Sequence, residues 1–286
     1  MISISDQHGL NMRIPNLVKW AGGKTSSLKS IVKAVPKMFN NYYEPFFGGG
    51  ALFWALKVEN KIKHAVISDV NKDLVNLLLA VRDRPNELSY ELDKYRDASG
   101  ADAYYKIRKR FNETRTKELL DTERAAMFLY LNRNGYNGLW RTNAAGEYNV
   151  PYGGYKRFYL ANDNDIRFYA SLLKDTTIMN ATYEMPLRNA KKGDFVFLDP
   201  PYFRDKDSNF VQYNAHMFRE EDHRNLKKIT EDLTSREVKV MITNRYCAEV
   251  SSIFGSFRMA VFKNRKPINR IGTARSGFNE VVITNF

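Results

Sequence analysis

Four apolar residues, Phe195-Val196-Phe197-Leu198, stop at Asp199-Pro200-Pro201-Tyr202, and this stop restricts the fold more than any other feature of the chain. A compact apolar run of this kind reads as a strand buried within an α/β sheet. Two consecutive prolines remove backbone donors and fix the chain, so the strand ends at Asp199. Nearby carbonyls then point outward with no ladder partner. A carboxylate and such a carbonyl together accept two hydrogen bonds from one amino group. The adjacent Tyr202 ring supplies a face on which a planar base stacks. The set suits an exocyclic amine on a heteroaromatic ring. A proline-rich turn explains any one of the four residues but not all of them.

Other short runs extend the pattern. Tyr42-Tyr43-Glu44-Pro45-Phe46 leads into Gly48-Gly49-Gly50, then a helical stretch, then Ala65-Val66-Ile67-Ser68-Asp69. Val238 to Thr243 and Glu280 to Thr284 are further strand candidates. Such runs alternating with helical stretches predict an α/β fold with a mostly parallel sheet covered by helices. Glycines after a strand let the backbone pass close to a ligand, and open sheets bind ligands at the carboxyl ends of strands. A plain tight turn is the competing reading. Asp69 follows the glycines by about twenty residues, a spacing at which an acid accepts hydrogen bonds from a ribose. It also precedes the helical run Leu74, Val75, Leu77, Leu78, where a capping residue belongs. Both roles hold if Asn71 caps the helix and Asp69 faces the ligand. This much indicates a nucleoside-containing cofactor without choosing which.

Between residues 85 and 175 the composition shifts towards Tyr, Arg, Lys and Asn. Tyr104 to Arg110 and Glu123 to Leu131 read as helices, and Asn134 to Arg141 is built of turn residues and aromatics. The expected division is a sheet domain formed by residues 1–84 and 176–286, interrupted by an inserted module at 85–175. Of 286 residues, 45 are basic and 32 acidic, a formal charge of +13. That balance favours a polyanionic partner, because each phosphate contact releases counterions, although a basic protein without such a partner fits the charge alone equally well. The single cysteine, Cys247, allows no internal disulfide and reads as a packing residue in a reducing compartment. No apolar run spans a membrane and the first residues lack a secretory core, so a cytoplasmic or nucleoplasmic location is expected. His223, in Arg219-Glu220-Glu221-Asp222-His223, reads as part of a helix start with capping acids rather than as a metal ligand.

Asp199-Pro200-Pro201-Tyr202 after a strand resembles the catalytic signature of amino-methyltransferases. The order of elements, with the glycine motif before the insert, resembles their alpha group. The closer resemblance is to the Dam family of DNA adenine methyltransferases. Lys19-Trp20-Ala21-Gly22-Gly23-Lys24 is similar to that family's amino-terminal cofactor motif, and Glu44-Pro45-Phe46-Phe47-Gly48-Gly49-Gly50 to its next. The stretches Arg133 to Arg141 and Gly146 to Lys156 resemble its recognition segment, and Asn279 to Asn285 its closing strand. The likeness runs in order from residue 17 to 286.

The resemblance implies a Rossmann-like S-adenosylmethionine-dependent methyltransferase domain with an inserted, mostly helical target-recognition domain. Trp20, Ala21, Gly22, Gly23 and Lys24 would hold S-adenosylmethionine with the loop Glu44 to Gly50. Asp69 would take its ribose, Tyr183 would pack beside its adenine, and Asp199 would also touch it. Thr182 stands where relatives often carry an acid. The target adenine would leave the duplex and stack on Tyr202, with Asp199 and the Pro200 carbonyl accepting its amino hydrogens. Transfer would be direct, without metal or covalent intermediate, leaving S-adenosylhomocysteine.

Double-stranded DNA is the implied partner, with GATC as the implied site. Arg141 would read a guanine edge (a phosphate contact is the alternative), Leu139 would make an apolar base contact, Tyr136 would wedge into the stack, and Lys19 would reach a base. Asn134, Asn137, Asn149, Pro151, Tyr155 and Lys156 complete the expected DNA-binding set. Trp140 stands where relatives carry smaller residues, which implies an altered flanking preference. Arg108, Lys109, Arg110 and Arg157, with Arg265, Lys266 and Arg270, are expected to contact phosphate or to be solvated. A monomer is expected, and both a functional link to a restriction endonuclease and solitary action fit the sequence. The rivals are a methyltransferase acting on cytosine N4 or RNA, and a DNA-binding protein of this fold that has lost catalysis.

Overall fold

The apolar run before Asp199 is the centre of a seven-stranded sheet. The computed structural model describes residues 2–5, 11–14, 16–114, 119–203, 218–264 and 278–286. The chain runs β1 (Ile2–Ser5), β2 (Asn11–Ile14), α1 (Leu28–Lys33), β3 (Tyr42–Glu44), α2 (Ala51–Val58), β4 (Ala65–Asp69), α3 (Lys72–Asp83), α4 (Pro85–Asp93), α5 (Gly100–Glu113), α6 (Thr122–Asn134) and α7 (Asp163–Leu173). It continues through β5 (Thr176–Asn180), α8 (Glu184–Leu187), β6 (Phe195–Leu198), α9 (Glu220–Ser235), β7 (Lys239–Arg245), α10 (Ala248–Phe254), β8 (Arg258–Asn264) and β9 (Phe278–Thr284). Strands β1 and β2 form a separate antiparallel pair.

The large sheet has the order β5-β4-β3-β6-β7-β9-β8, parallel from β5 to β7, with β9 antiparallel to both its neighbours. From β3 the chain steps outward through β4 to β5, then returns to β6 and steps the other way. The loops leaving the carboxyl ends of β3 and β6 therefore diverge at this switch point, the place where open sheets of this kind bind ligands. Tyr42 lies opposite Phe195 and Tyr43 opposite Val196, so the glycine loop and the Asp-Pro-Pro-Tyr segment emerge at the same edge. This is a Rossmann-like arrangement.

Alternation along β6 builds the layers. Phe195 and Phe197 enter one core with Leu52, Trp54 and Phe128, while Val196 and Leu198 enter another with Leu226, Val240 and Ile253. Successive strand side chains point to opposite faces, so every residue of β6 is buried. Each such side chain gains roughly 1.5–3 kcal/mol on full burial. Helices α1 to α7 contribute to the first core and α8 to α10 to the second. Within residues 85–175, α6 is buried from Arg124 to Asn134, and its Phe128 shares one continuous core with the sheet.

Strands β4 and β6 coincide with the sequence expectation. β3 stops at Glu44 instead of reaching Phe46, because Pro45 has no N–H to donate. β7 and β9 extend beyond the expected runs, and β5 and β8 were not anticipated. The last two are the edges of the sheet, where half-exposed residues blur the apolar pattern.

Candidate active site

Asp199, at the carboxyl end of β6, is held on one oxygen by two donors. Lys24 Nζ lies 2.6 Å from Oδ1, and the Thr243 hydroxyl donates to the same atom at 2.7 Å. Lys24 is only 4% exposed. Its ammonium also donates to the Gly22 carbonyl at 3.0 Å and sits 4.5 Å from the centre of the Tyr202 ring. A turn places it there: Gly23 N–H donates to Trp20 O, Gly22 has φ +81°, and a short 3-10 helix then carries Lys24 inward. The Tyr202 hydroxyl donates to Glu280 Oε1 at 2.5 Å, and the Phe203 N–H donates to Asn244 Oδ1 at 3.1 Å. Burial, reinforced by the Asp199 and Glu280 charges, raises the Tyr202 pKa and keeps its phenol protonated.

Across the switch point, Asp69 ends β4. Its Oδ2 accepts from Gly48 N–H and its Oδ1 from Asn71 N–H, both at 2.9 Å. Burial raises its pKa, and the backbone donors oppose that rise. Asn71, not Asp69, caps α3, its side chain accepting from Leu74 N–H at 3.0 Å. Each Asp69 oxygen keeps a lone pair for another donor.

The glycine loop departs from the expectation in detail. A Cβ on Gly48 would lie 2.7 Å from Trp20 Cδ1, and one on Gly50 would run into the Phe47 ring. Gly48 and Gly50 also have φ of +49° and +62°. The protein's own packing therefore demands these glycines, whatever approaches the loop. Two residues expected to face the cofactor face inward. Phe47 packs edge-on against Phe53 and Trp54 in the core. Glu44 is buried and accepts from the Tyr42 hydroxyl at 2.8 Å, and burial pushes its pKa well up. Phe46 is half-buried, its ring stacked on Tyr183 at 5.0 Å with the edge of Phe218 beside it. Pro45, Gly49, Pro200 and Pro201 lie within the two loops, Ala21 and Thr182 are exposed, and Thr182 offers no acid.

The two recognition segments are joined to each other by isolated bridges, Gly135 to Tyr152 and Thr142 to Tyr148. Lys19 is held against them: its Nζ donates to Arg133 O at 3.0 Å and lies 4.1 Å from the Tyr155 ring centre. Burial, then the Arg133 charge, lowers its pKa. The Tyr155 hydroxyl oxygen accepts from Asn137 N–H at 3.0 Å, and Pro151 O accepts from Tyr136 N–H at 2.9 Å. Tyr136, Asn137, Arg141, Pro151 and Lys156 are exposed, and Leu139 is half-buried. Arg141 Nε donates to Asn149 Oδ1 at 2.8 Å.

Two expectations change here. Asn134 is 1% exposed, its amide donating to Tyr130 O and its carbonyl accepting from Gly153 N–H, so it cannot touch DNA. Trp140 turns into the protein, stacked on Tyr148 at 4.3 Å with Phe128 at 4.0 Å, so its size fills the core and not a base contact. Arg108 donates to Val150 O, while Lys109 and Arg110 pair with Glu113 and Glu123. Arg265, Lys266 and Arg270 lie outside the described residues.

Cys247 is half-buried at the start of α10, where burial raises its pKa and the backbone N–H groups of Val250 and Glu249 oppose that rise. His223 is fully buried in α9 between Phe203 and Phe218, with burial lowering its pKa to about 4. Among the described residues, no group of three or more His, Cys, Asp or Glu is placed to hold a metal ion, and no helix is long and apolar enough to cross a membrane.

The sequence model of the D12 class N6 adenine-specific DNA methyltransferases matches residues 20–268, a span that holds every group of this site except Lys19 and Glu280. The chain belongs to the D12 class. This D12-class methyltransferase is 32% identical over 290 residues to the type II methyltransferase M.MjaIII of Methanocaldococcus jannaschii, covering 96% of this chain and 100% of that one. It is 31% identical over 268 residues to the DNA adenine methylase of Escherichia coli K12, covering 93% of each. With the retron Ec67 DNA adenine methylase of Escherichia coli the identity is 33% over 256 residues, covering 88% and 85%. The D12-class chain is thus an adenine-specific DNA methyltransferase, and the family implies S-adenosylmethionine as methyl donor.

The residues present fit that donor chemically. A carboxylate with spare lone pairs suits a ribose diol, a buried ammonium suits an α-carboxylate, and the Phe46–Tyr183 face suits a purine. Sequence reasoning missed Thr243, Asn244 and Glu280, which hold the Asp199 to Phe203 segment of this D12-class enzyme from strands β7 and β9. For Glu280 there was a signal: an acid within the apolar strand that continues Val281-Val282-Ile283.

Proposed function

We propose that the enzyme methylates the adenine amino group within GATC of duplex DNA, acting on a base swung out of the helix. The observation that carries this is the shared engagement of Lys24. One ammonium pairs with Asp199 and lies 4.5 Å from the Tyr202 ring centre, which brings together an acceptor for an adenine amino group and a ring on which the adenine stacks. With Asp199 Oδ1 occupied by Lys24 and Thr243, Oδ2 is left to accept one amino hydrogen and the Pro200 carbonyl the other. The nitrogen lone pair is then localised for methylation. An amino group inside the stack cannot reach a crevice at the strand ends, which supports flipping.

Bound S-adenosylmethionine supplies an electrophilic methyl group on a sulfonium centre. Asp69 would hold its ribose, Phe46 and Tyr183 its adenine, and Lys24 its carboxylate, with Trp20 packed on the glycine loop behind. Residues 85–175 form the target-recognition insert in this reading. Exposed Tyr136 enters the stack, Arg141 reads guanine, and Leu139 and Lys19 contact neighbouring bases. The enzyme acts as a monomer and serves beside a restriction endonuclease, in keeping with the name type II methyltransferase of the M. jannaschii relative.

The test compares two duplexes differing only in GATC versus GTTC, with methylated nucleosides quantified by mass spectrometry. N6-methyladenine confined to the GATC duplex is expected. Equal methylation of both would remove Leu139 and Arg141 as GATC readers.

A further inference from the structure

The segment after β6 has no ladder to fix it, because two prolines interrupt the backbone donors. Three side chains on neighbouring strands hold it instead. Thr243 donates to Asp199 at 2.7 Å, Asn244 accepts from Phe203 N–H at 3.1 Å, and Glu280 accepts from the Tyr202 hydroxyl at 2.5 Å. Thr243 and Asn244 are consecutive on β7, and Arg245, the next residue, pairs with Glu280 across to β9. The three clamps therefore form one patch beneath the catalytic segment.

Glu280 is the costly member. It is 1% exposed, and its Oε2 has no hydrogen-bond partner among the described residues. A buried carboxylate is expensive to desolvate, and an apolar residue would serve β9 better, as at Val281, Val282 and Ile283. Among the described residues, its carboxylate bonds to Tyr202.

Resting on the reading of Tyr202 as the base platform, we propose that Glu280 is the positioning residue that fixes where the Tyr202 ring sits. The phenol oxygen lies on the axis of the Cβ–Cγ bond, so a tether there stops the ring from swinging about Cα–Cβ and keeps the base it carries beside Asp199. Glu280 touches neither substrate nor cofactor.

The test is a double-mutant cycle of Glu280→Ala and Tyr202→Phe, reading kcat, KM for S-adenosylmethionine and DNA affinity on the intact enzyme. Each single change removes the same bond to a charged acceptor, so each lowers kcat by about 10- to 100-fold. The cofactor KM stays within about twofold, and the double variant is little worse than either single one. Glu280→Gln keeps a carbonyl acceptor and restores most of the activity. Multiplicative losses in the double variant, or a glutamine variant as poor as alanine, overturn the proposal. Should Glu280→Ala fail to fold, Tyr202→Phe decides alone, since full kcat in that variant overturns it. A wild-type enzyme that methylates no duplex refutes the proposed function instead, so the two failures are distinguishable.

Discussion

The ammonium of Lys24 and the carboxylate of Asp199 form a 2.6 Å ion pair at the switch point of the sheet, tying the amino-terminal motif to the Asp-Pro-Pro-Tyr segment. One carboxylate is thereby oriented, and one of its oxygens is reserved.

Removing Lys24 leaves Asp199 with only the Thr243 hydroxyl on Oδ1. Lys24→Met should lower stability by about 3 kcal/mol, because a largely buried charge loses its partner. Adding Asp199→Asn to it should restore most of that stability and none of the activity. Denaturant melts of the two variants check this; equal stability of the single and double variants would contradict it.

Trp140 should matter to the core and not to sequence choice. Trp140→Ala, which empties the space between Phe128 and Tyr148, should cost roughly 3–5 kcal/mol. Its preference among flanking bases, measured by sequencing methylated random duplexes, should match the wild type.

Arg141 is held by Asn149, so the two should act together. Arg141→Ala should relax discrimination at one base pair by about 1–3 kcal/mol, and Asn149→Ala should do the same more weakly. Methylation rates on singly substituted sites measure this. A uniform loss on all sites would assign Arg141 to phosphate.

His223 gives the pH dependence of stability. The unfolded imidazole protonates near 6.5 and the folded one only near 4. Between these values the unfolded state binds more protons, so stability falls as pH falls through the window, by up to about 3 kcal/mol. His223→Leu should flatten that limb and melt higher than the wild type at pH 5. An unchanged acid limb would contradict the assignment.

Much of this was legible in the sequence where backbone chemistry is abrupt. Pro200 and Pro201 forced the end of β6, and Asn71 was placed as the cap of the following helix, which its bond from Leu74 N–H bears out. Less legible were contacts between distant elements. Nothing in Gly48 announces that Trp20 will cover it, and Asn134 reads as a surface turn residue until helix α6 is seen to bury it. The edge strands β5 and β8 lack a clean alternation, because one side of an edge needs no apolar partner. Glu280 was visible as an oddity whose partner only the strand register reveals.

The most direct measurement is nucleoside mass spectrometry of a GATC duplex incubated with S-adenosylmethionine and either wild-type enzyme or Asp199→Ala. The account predicts N6-methyladenine from the wild type and at least about a thousandfold less from the variant, at comparable DNA binding. Substantial N6-methyladenine from Asp199→Ala, or a methyl group on any other atom from the wild type, would contradict it.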